Sequence, residues 1–147
     1  MLHYEDYPVG LEIDLGSHHV TAEEIIDYAR EFDPQPFHLS EAAGKQSILG
    51  GLAASGWQSS AILIRLAVTG MANKSAAMAS NAMDEGRWIR PVFAGETLHG
   101  KGTVMARRVS AKRPEMGILT MRWELCNDKG EPKVGITGVQ FIRVRNP

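Results

Sequence analysis

The chain has 147 residues, of which 44% are hydrophobic and 22% are charged, and its formal net charge is −1. This length suits one domain with a sizeable core, which we assign to residues 1–147. The charge balance argues against a nucleic-acid-binding protein, and no stretch approaches the ~20 apolar residues of a membrane span. The opening residues are partly acidic and lack an apolar run, so we expect no signal peptide and a cytoplasmic protein. The single cysteine, Cys126, excludes an internal disulfide.

The first part of the chain predicts a strand followed by a helix. Residues from Val9 to Val20 are typical of a strand with a turn at Leu15-Gly16. Thr21, with Glu24 three residues later, matches a capping box. The apolar spacing that follows predicts a helix that ends at Asp33.

Two prolines separate a carboxylate from an imidazole in the next segment. An extended chain would hold Asp33 and His38 roughly 17 Å apart. Pro34 and Pro36 each disfavour a helix, so a turn here could bring the two side chains face to face. A carboxylate and a neutral imidazole that share one water form a general acid/base pair near neutral pH. The alternative is that Asp33 only starts a turn and His38 only caps the next helix.

A glycine-rich approach then leads into a strongly apolar segment, after a short helix that begins near Ser40. Residues 55–69 carry apolar side chains on nearly every side and predict a largely buried helix. Ser55 is a good N-cap residue, and Gly56 would let a ligand approach the first helical N–H groups closely. Such a helix start favours an anion or a polarised carbonyl oxygen. A tight turn into a core helix is the alternative.

The remainder of the chain is mostly strand. Lys101 to Val109 predicts one strand, and the alternation from Leu119 to Cys126 predicts a half-buried second one. Asn127 to Gly130 is a hairpin turn signal, and Val134 to Val144 then returns as the closing strand. Periodicity therefore predicts an α+β protein.

Taken together, these segments resemble the MaoC-like dehydratase family, the (R)-specific enoyl-CoA hydratases of the hotdog fold. Asp33 to His38 is similar to the D-x-N-P-x-H hydratase motif of that family, with Gln35 in place of the usual Asn. Ser55-Gly56 stands where the family often has His-Gly at the start of its central helix. Arg87 to Leu98 resembles a third family segment, a strand followed by a proline, a valine and a Gly-Glu pair. The resemblance implies an antiparallel sheet wrapped around a long central helix.

The resemblance also implies an activity. It is the hydration of a trans-2-enoyl-CoA thioester, or the reverse dehydration, with (3R) stereochemistry. Asp33 and His38 would be catalytic, whereas Gly56, Ser55 and Gln35 would bind the substrate. No metal or other cofactor is implied. A hotdog acyl-CoA thioesterase and a non-catalytic acyl-thioester-binding subunit stay open as alternatives.

The closing strand indicates an assembly. Val139 and Phe141 lie on one alternation and Ile142 and Val144 on the other, which is more apolar surface than one helix-facing side requires. Members of the resembling family pair as dimers. We therefore expect a homodimer whose pocket draws residues from both chains, with part of Arg87 to Pro91 serving the site of the partner.

Overall fold

The computed structural model describes residues 1–147 and contains three α-helices and six strands. The helices are α1 (Ala22–Phe32), α2 (Glu41–Gln46) and α3 (Gly56–Gly70). The strands are β1 (Glu12–His19), β2 (Ala77–Ala79), β3 (Met83–Trp88), β4 (Thr97–Val109), β5 (Met116–Asn127) and β6 (Pro132–Arg143). None of the helices has the length and apolar character needed to cross a membrane.

All six strands belong to one antiparallel sheet. Its order is β1-β4-β5-β6-β2, and β3 pairs with a different stretch of β6 from the one that pairs with β2. The long helix α3 packs against β1, β4, β5 and β6. The sheet therefore wraps around α3, and the α+β hotdog fold predicted above is confirmed.

The core lies between α3 and the inner face of the sheet. Side chains along β5 alternate between buried and half-buried over its whole length, as the period-2 pattern predicted. Leu119, Met121 and Leu125 are fully buried and share one apolar cluster with Leu63 of α3. Burying each such side chain stabilises the fold by about 1.5–3 kcal/mol.

The predicted turn in the first strand is a β-bulge. The register of β1 against β4 shifts between Asp14 and Gly16. Gly16 has φ +90°, and its N–H donates to Asp14 Oδ1 at 2.9 Å. A glycine tolerates this φ, so the strand takes up an extra residue and continues instead of turning. The prediction of a turn at Leu15-Gly16 is therefore wrong, and β1 is shorter than the segment Val9 to Val20.

The start of α1 carries only half of the predicted capping box. Thr21 Oγ1 accepts the N–H of Glu24 at 3.2 Å. The carboxylate of Glu24 does not return to the N-cap but accepts His18 Nε2 at 2.9 Å. A partner on the preceding strand thus competes for the glutamate and ties β1 to α1.

The central helix is only partly buried in this chain. It begins at Gly56 with Ser55 as N-cap, as predicted. On its outer face, however, Trp57, Ile64 and Val68 are 60%, 49% and 41% exposed. Strand β3 lies along this face and is exposed at every residue. The prediction of a largely buried helix is wrong for this face. An apolar sequence pattern alone does not show which faces of a helix are covered by other parts of the chain.

Candidate active site

Asp33 and His38 meet at the end of α1. Asp33 is the C-cap of α1, and the chain then enters a one-turn 3₁₀ helix that begins at Pro36 and ends at His38. The two prolines prevent α1 from continuing. The resulting turn brings His38 Nε2 to 3.5 Å from Asp33 Oδ2. Folding therefore joins two groups that an extended chain would keep roughly 17 Å apart.

The imidazole of His38 is held in one tautomer. Its side chain is buried, and Nδ1 lies 2.7 Å from the carbonyl oxygen of Ala53. Because a carbonyl can only accept, Nδ1 carries the proton and donates it. In the neutral ring the lone pair is then on Nε2, the nitrogen that faces Asp33.

The carboxylate of Asp33 is held by two donors. Ser55 Oγ donates to Oδ2 at 2.7 Å, and Gln35 Nε2 donates to Oδ1 at 2.7 Å. Burial raises the pKa of Asp33, but the hydrogen bonds from Ser55 and Gln35 and the charge of His38 outweigh it, so the pKa lies below its ordinary value. Asp33 is therefore ionised at neutral pH and is a weak base.

The gap between these two groups has chemical consequences. At 3.5 Å, Nε2 and Oδ2 are too far apart for a good direct hydrogen bond. When His38 is neutral both atoms are acceptors, so they do not satisfy each other. A water beside the pair, within hydrogen-bond reach of both atoms, would donate one O–H to each, which is the arrangement that a general base needs to activate a water.

The start of α3 forms the neighbouring part of the site. Ser55 Oγ accepts the N–H of Trp57 at 3.3 Å, whereas the N–H of Gly56 makes no hydrogen bond to another protein atom. A free N–H at a helix N-terminus attracts negative charge. The indole of Trp88 packs closely on Gly56, and the approach of a ligand expected there stays a prediction. A Cβ on Gly56 would clash with that ring, so a larger residue here would have to displace the partly exposed Trp88.

A cavity of about 400 Å³ opens onto these groups, within the usual range for small-molecule sites. Asp33 is its only carboxylate, and Arg90 and Lys133 supply cations. Much of the wall is apolar and comes from Phe37, Leu49, Trp57, Trp88, Ile89 and Val92. No group of three or more His, Cys, Asp or Glu side chains is arranged so that it could hold a metal ion.

The residues singled out in the sequence have different positions relative to this cavity. Asp33, His38, Gln35 and Gly56 line it. Ser55 is fully buried and is not among the lining residues, because its hydroxyl is directed to Asp33. Substrate contacts of Gln35, Ser55 and Gly56 stay predictions.

Sequence reasoning missed three contributions to the site. Trp88 packs on Gly56, the carbonyl of Ala53 fixes the imidazole, and Lys133 is buried at the cavity wall. Lys133 directly precedes the predicted closing strand and lies within β6, and a lysine in such an apolar run is a signal that could have revealed it, whereas the other two contacts join distant segments. Within Arg87 to Pro91, part of which is expected to serve the partner's site, Trp88 to Pro91 line the cavity of their own chain, and the service to a partner stays a prediction.

Comparison with known proteins gives matches over most of the chain. The family model described as "MaoC like domain" matches residues 8–120. The uncharacterized protein YdeM of Bacillus subtilis (strain 168) is 29% identical over 125 residues, which cover 85% of this chain and 87% of that protein. The crystal structure of the MaoC-like dehydratase from Rhodospirillum rubrum is 38% identical, covers 100% of both chains and has a TM-score of 0.92.

A more distant match is the (R)-hydratase from A. caviae involved in PHA biosynthesis. It is 20% identical, with a TM-score of 0.72, over 92% of this chain and 97% of the other. At this identity the likeness is one of fold.

Proposed function

The chain belongs to the MaoC-like dehydratase family, and from this premise we propose that it hydrates a trans-2-enoyl-CoA thioester or catalyses the reverse dehydration. The observation that carries the proposal is the Asp33–His38 pair, an ionised carboxylate and an imidazole 3.5 Å apart on the wall of a largely apolar cavity. The expected setting is acyl-thioester metabolism in the cytoplasm. The (3R) stereochemistry comes from the family resemblance.

The proposed reaction begins with one water between the two side chains. His38 Nε2 takes a proton from this water, and Asp33 accepts its other O–H and orients it. The water oxygen bonds to C3 of the enoyl group, while the electrons of the C2=C3 double bond move toward the thioester carbonyl. The protonated imidazole is stabilised by the adjacent carboxylate. His38 then returns the proton to C2 on the same face, so that addition is syn and the water is fully consumed.

The thioester oxygen becomes negative during this reaction and needs a donor. The free N–H of Gly56, at the positive end of α3, is the group that we assign to it. One donor of this kind typically lowers a barrier by about 3 kcal/mol.

The test is an assay of purified protein with crotonyl-CoA and with longer, branched and dicarboxylic enoyl-CoAs. We expect loss of enoyl absorbance without release of free thiol, and its absence in the isosteric variant Asp33→Asn. Release of free thiol would identify a thioesterase instead, although α3 contains no Asp or Glu. Binding of every acyl-CoA without turnover would identify a non-catalytic subunit.

We also propose that the chain acts as a homodimer. The outer face of α3 exposes Trp57, Ile64 and Val68, and β3 beside it is exposed along its whole length. Apolar surface next to an unpaired strand edge favours pairing with another chain. Sedimentation at micromolar concentration should report about twice the 16.1 kDa of one chain. A fully active monomer would contradict the dimer.

A further inference from the structure

We propose that the ion pair of Lys133 and Glu96 positions the imidazole of His38. It would act through two short backbone segments that are hydrogen-bonded to each other, residues 91–93 and residues 53–54. The inference rests on the proposed function, because it concerns the same cavity. Neither charged group needs to touch the reacting atoms, so both are positioning residues.

Lys133 is deeply buried in this pair and Glu96 is half-buried. The Lys133 side chain is 5% exposed and that of Glu96 is 22% exposed, with Nζ 3.0 Å from Oε1. Desolvation makes such pairs expensive, and apolar residues of similar volume often stabilise a fold equally well. Stability alone is therefore a weak explanation for a lysine at the wall of this cavity.

The pair holds one short segment by two backbone groups of opposite polarity. Lys133 Nζ donates to the carbonyl oxygen of Pro91 at 2.9 Å. Glu96 Oε2 accepts the N–H of Phe93 at 2.8 Å, while its Oε1 also accepts Asn127 Nδ2 at 3.0 Å. The segment from Pro91 to Phe93 is thus fixed from β6 and from the start of β4.

The same segment is hydrogen-bonded to residues 53–54, which orient His38. The carbonyl of Val92 accepts the N–H of Ala54 at 2.8 Å, and Phe93 forms a β-bridge with Ala53. The carbonyl of Ala53 then accepts His38 Nδ1 at 2.7 Å. A continuous series of hydrogen bonds therefore runs from the ion pair to the imidazole.

Loss of the ion pair would leave the Pro91 carbonyl and the Phe93 N–H without their partners. We expect the segment to shift, and the carbonyl of Ala53 to shift with it. Because a displacement of about 1 Å in an active site can cost about 100-fold in rate, even a small shift would be measurable.

The kinetic test uses the double variant Lys133→Met/Glu96→Leu, which leaves no unpaired buried charge and removes the acceptor of the Phe93 N–H. Its matched control is Lys101→Met/Glu12→Leu, which removes an exposed Lys–Glu pair of the same 3.0 Å separation between β1 and β4. We expect kcat for hydration to fall about 10- to 100-fold with KM changed less than about twofold. The control should match the wild type. A raised KM with normal kcat would overturn the proposal, because Lys133 would then be a substrate contact.

A second measurement needs no substrate and so stands apart from the proposed function. Heteronuclear NMR of the histidine side chains, assigned with His38→Gln, should report a His38 that is protonated at Nδ1 in the wild type. In the folded double variant we expect a mixture of tautomers, because the Ala53 acceptor is no longer fixed. If circular dichroism finds the double variant unfolded, Lys133→Met alone is read in the same way, because the half-buried Glu96 keeps its hydrogen bonds from Asn127 and Phe93. An unchanged Nδ1–H tautomer in a folded variant would overturn the proposal even if the protein hydrates no enoyl thioester.

Discussion

Two carboxylate–imidazole pairs lie at opposite ends of α1 and differ in their geometry. At its start, His18 Nε2 donates directly to Glu24 Oε1 at 2.9 Å, with both side chains partly exposed. At its end, Asp33 and His38 are more deeply buried, yet Nε2 and Oδ2 are 3.5 Å apart. The pair in direct contact joins β1 to α1, whereas the separated pair lines the cavity.

The difference lies in where each group finds its partners. Glu24 accepts a hydrogen bond directly from the imidazole of His18, so the donor and the acceptor satisfy each other. The imidazole of His38 instead donates its Nδ1–H to the carbonyl oxygen of Ala53. The carboxylate of Asp33 accepts hydrogen bonds from Ser55 and Gln35. Two acceptors are thereby left facing each other 3.5 Å apart, where a water beside them would reach both. On the proposed function, the separated pair is therefore the one expected to act as acid and base, and the contacting pair is expected to be structural.

The largest expected effect is loss of one member of the separated pair. Asp33→Asn and His38→Ala should each lower turnover about 100-fold or more, the usual scale for a positioned acid or base. The matched change at the contacting pair, Glu24→Gln, should leave turnover within about twofold of the wild type. Steady-state hydration rates of the folded variants test this. An equal loss in Glu24→Gln would remove the distinction between the two pairs.

The next effect concerns the helix N-terminus beside the separated pair. Gly56→Pro and Gly56→Ala both add a Cβ against Trp88, but only proline removes the N–H. Proline is tolerated at the first helical position, so the helix should persist. We expect turnover of Gly56→Pro to lie about 100-fold below that of Gly56→Ala. Equal rates in the two folded variants would mean that the thioester oxygen is bound elsewhere.

The smallest effect concerns the donor that holds Asp33. Ser55→Ala removes a hydrogen bond to the ionised carboxylate, so the pKa of Asp33 should rise toward its ordinary value. Because the pKa of Asp33 is lower in the folded protein than in the unfolded chain, ionisation of Asp33 stabilises the fold. This contribution is fully present at pH values above the unfolded-state pKa and is lost as the pH falls through the folded-state pKa. The variant, which also loses its N-cap, should be about 1 kcal/mol less stable at pH 7.

Denaturant titrations at several pH values measure this difference in unfolding free energy, which should shrink below about pH 4 as Asp33 takes up a proton. Ser60→Ala is the control, since the Ser60 hydroxyl is bonded to Trp88 and to no titratable group. A deficit in Ser55→Ala that stays constant with pH would mean that only the helix cap was lost.

Local rules predicted the parts of the fold that depend on neighbours in sequence. Pro34 and Pro36 end α1 and create the turn, and Thr21 and Ser55 cap their helices as expected. The alternation in β5 likewise follows directly from its sequence.

Tertiary partners account for what the sequence did not reveal. The carboxylate of Glu24 binds His18 and does not complete the capping box, and the hydroxyl of Ser55 donates to Asp33. The contact of Trp88 with Gly56 and the burial of Lys133 join segments that are far apart in the chain. No local pattern specifies such pairings.

The most direct test of the shared-water mechanism is a double-mutant cycle on Asp33 and His38. If both side chains act on one water, Asp33→Asn/His38→Ala should be little slower than the slower single variant, because residues that act as a unit are not additive. The rates are measured with saturating enoyl-CoA on variants whose fold is checked by circular dichroism. Losses that multiply in the double variant would mean that the two residues act independently, and the mechanism would be wrong.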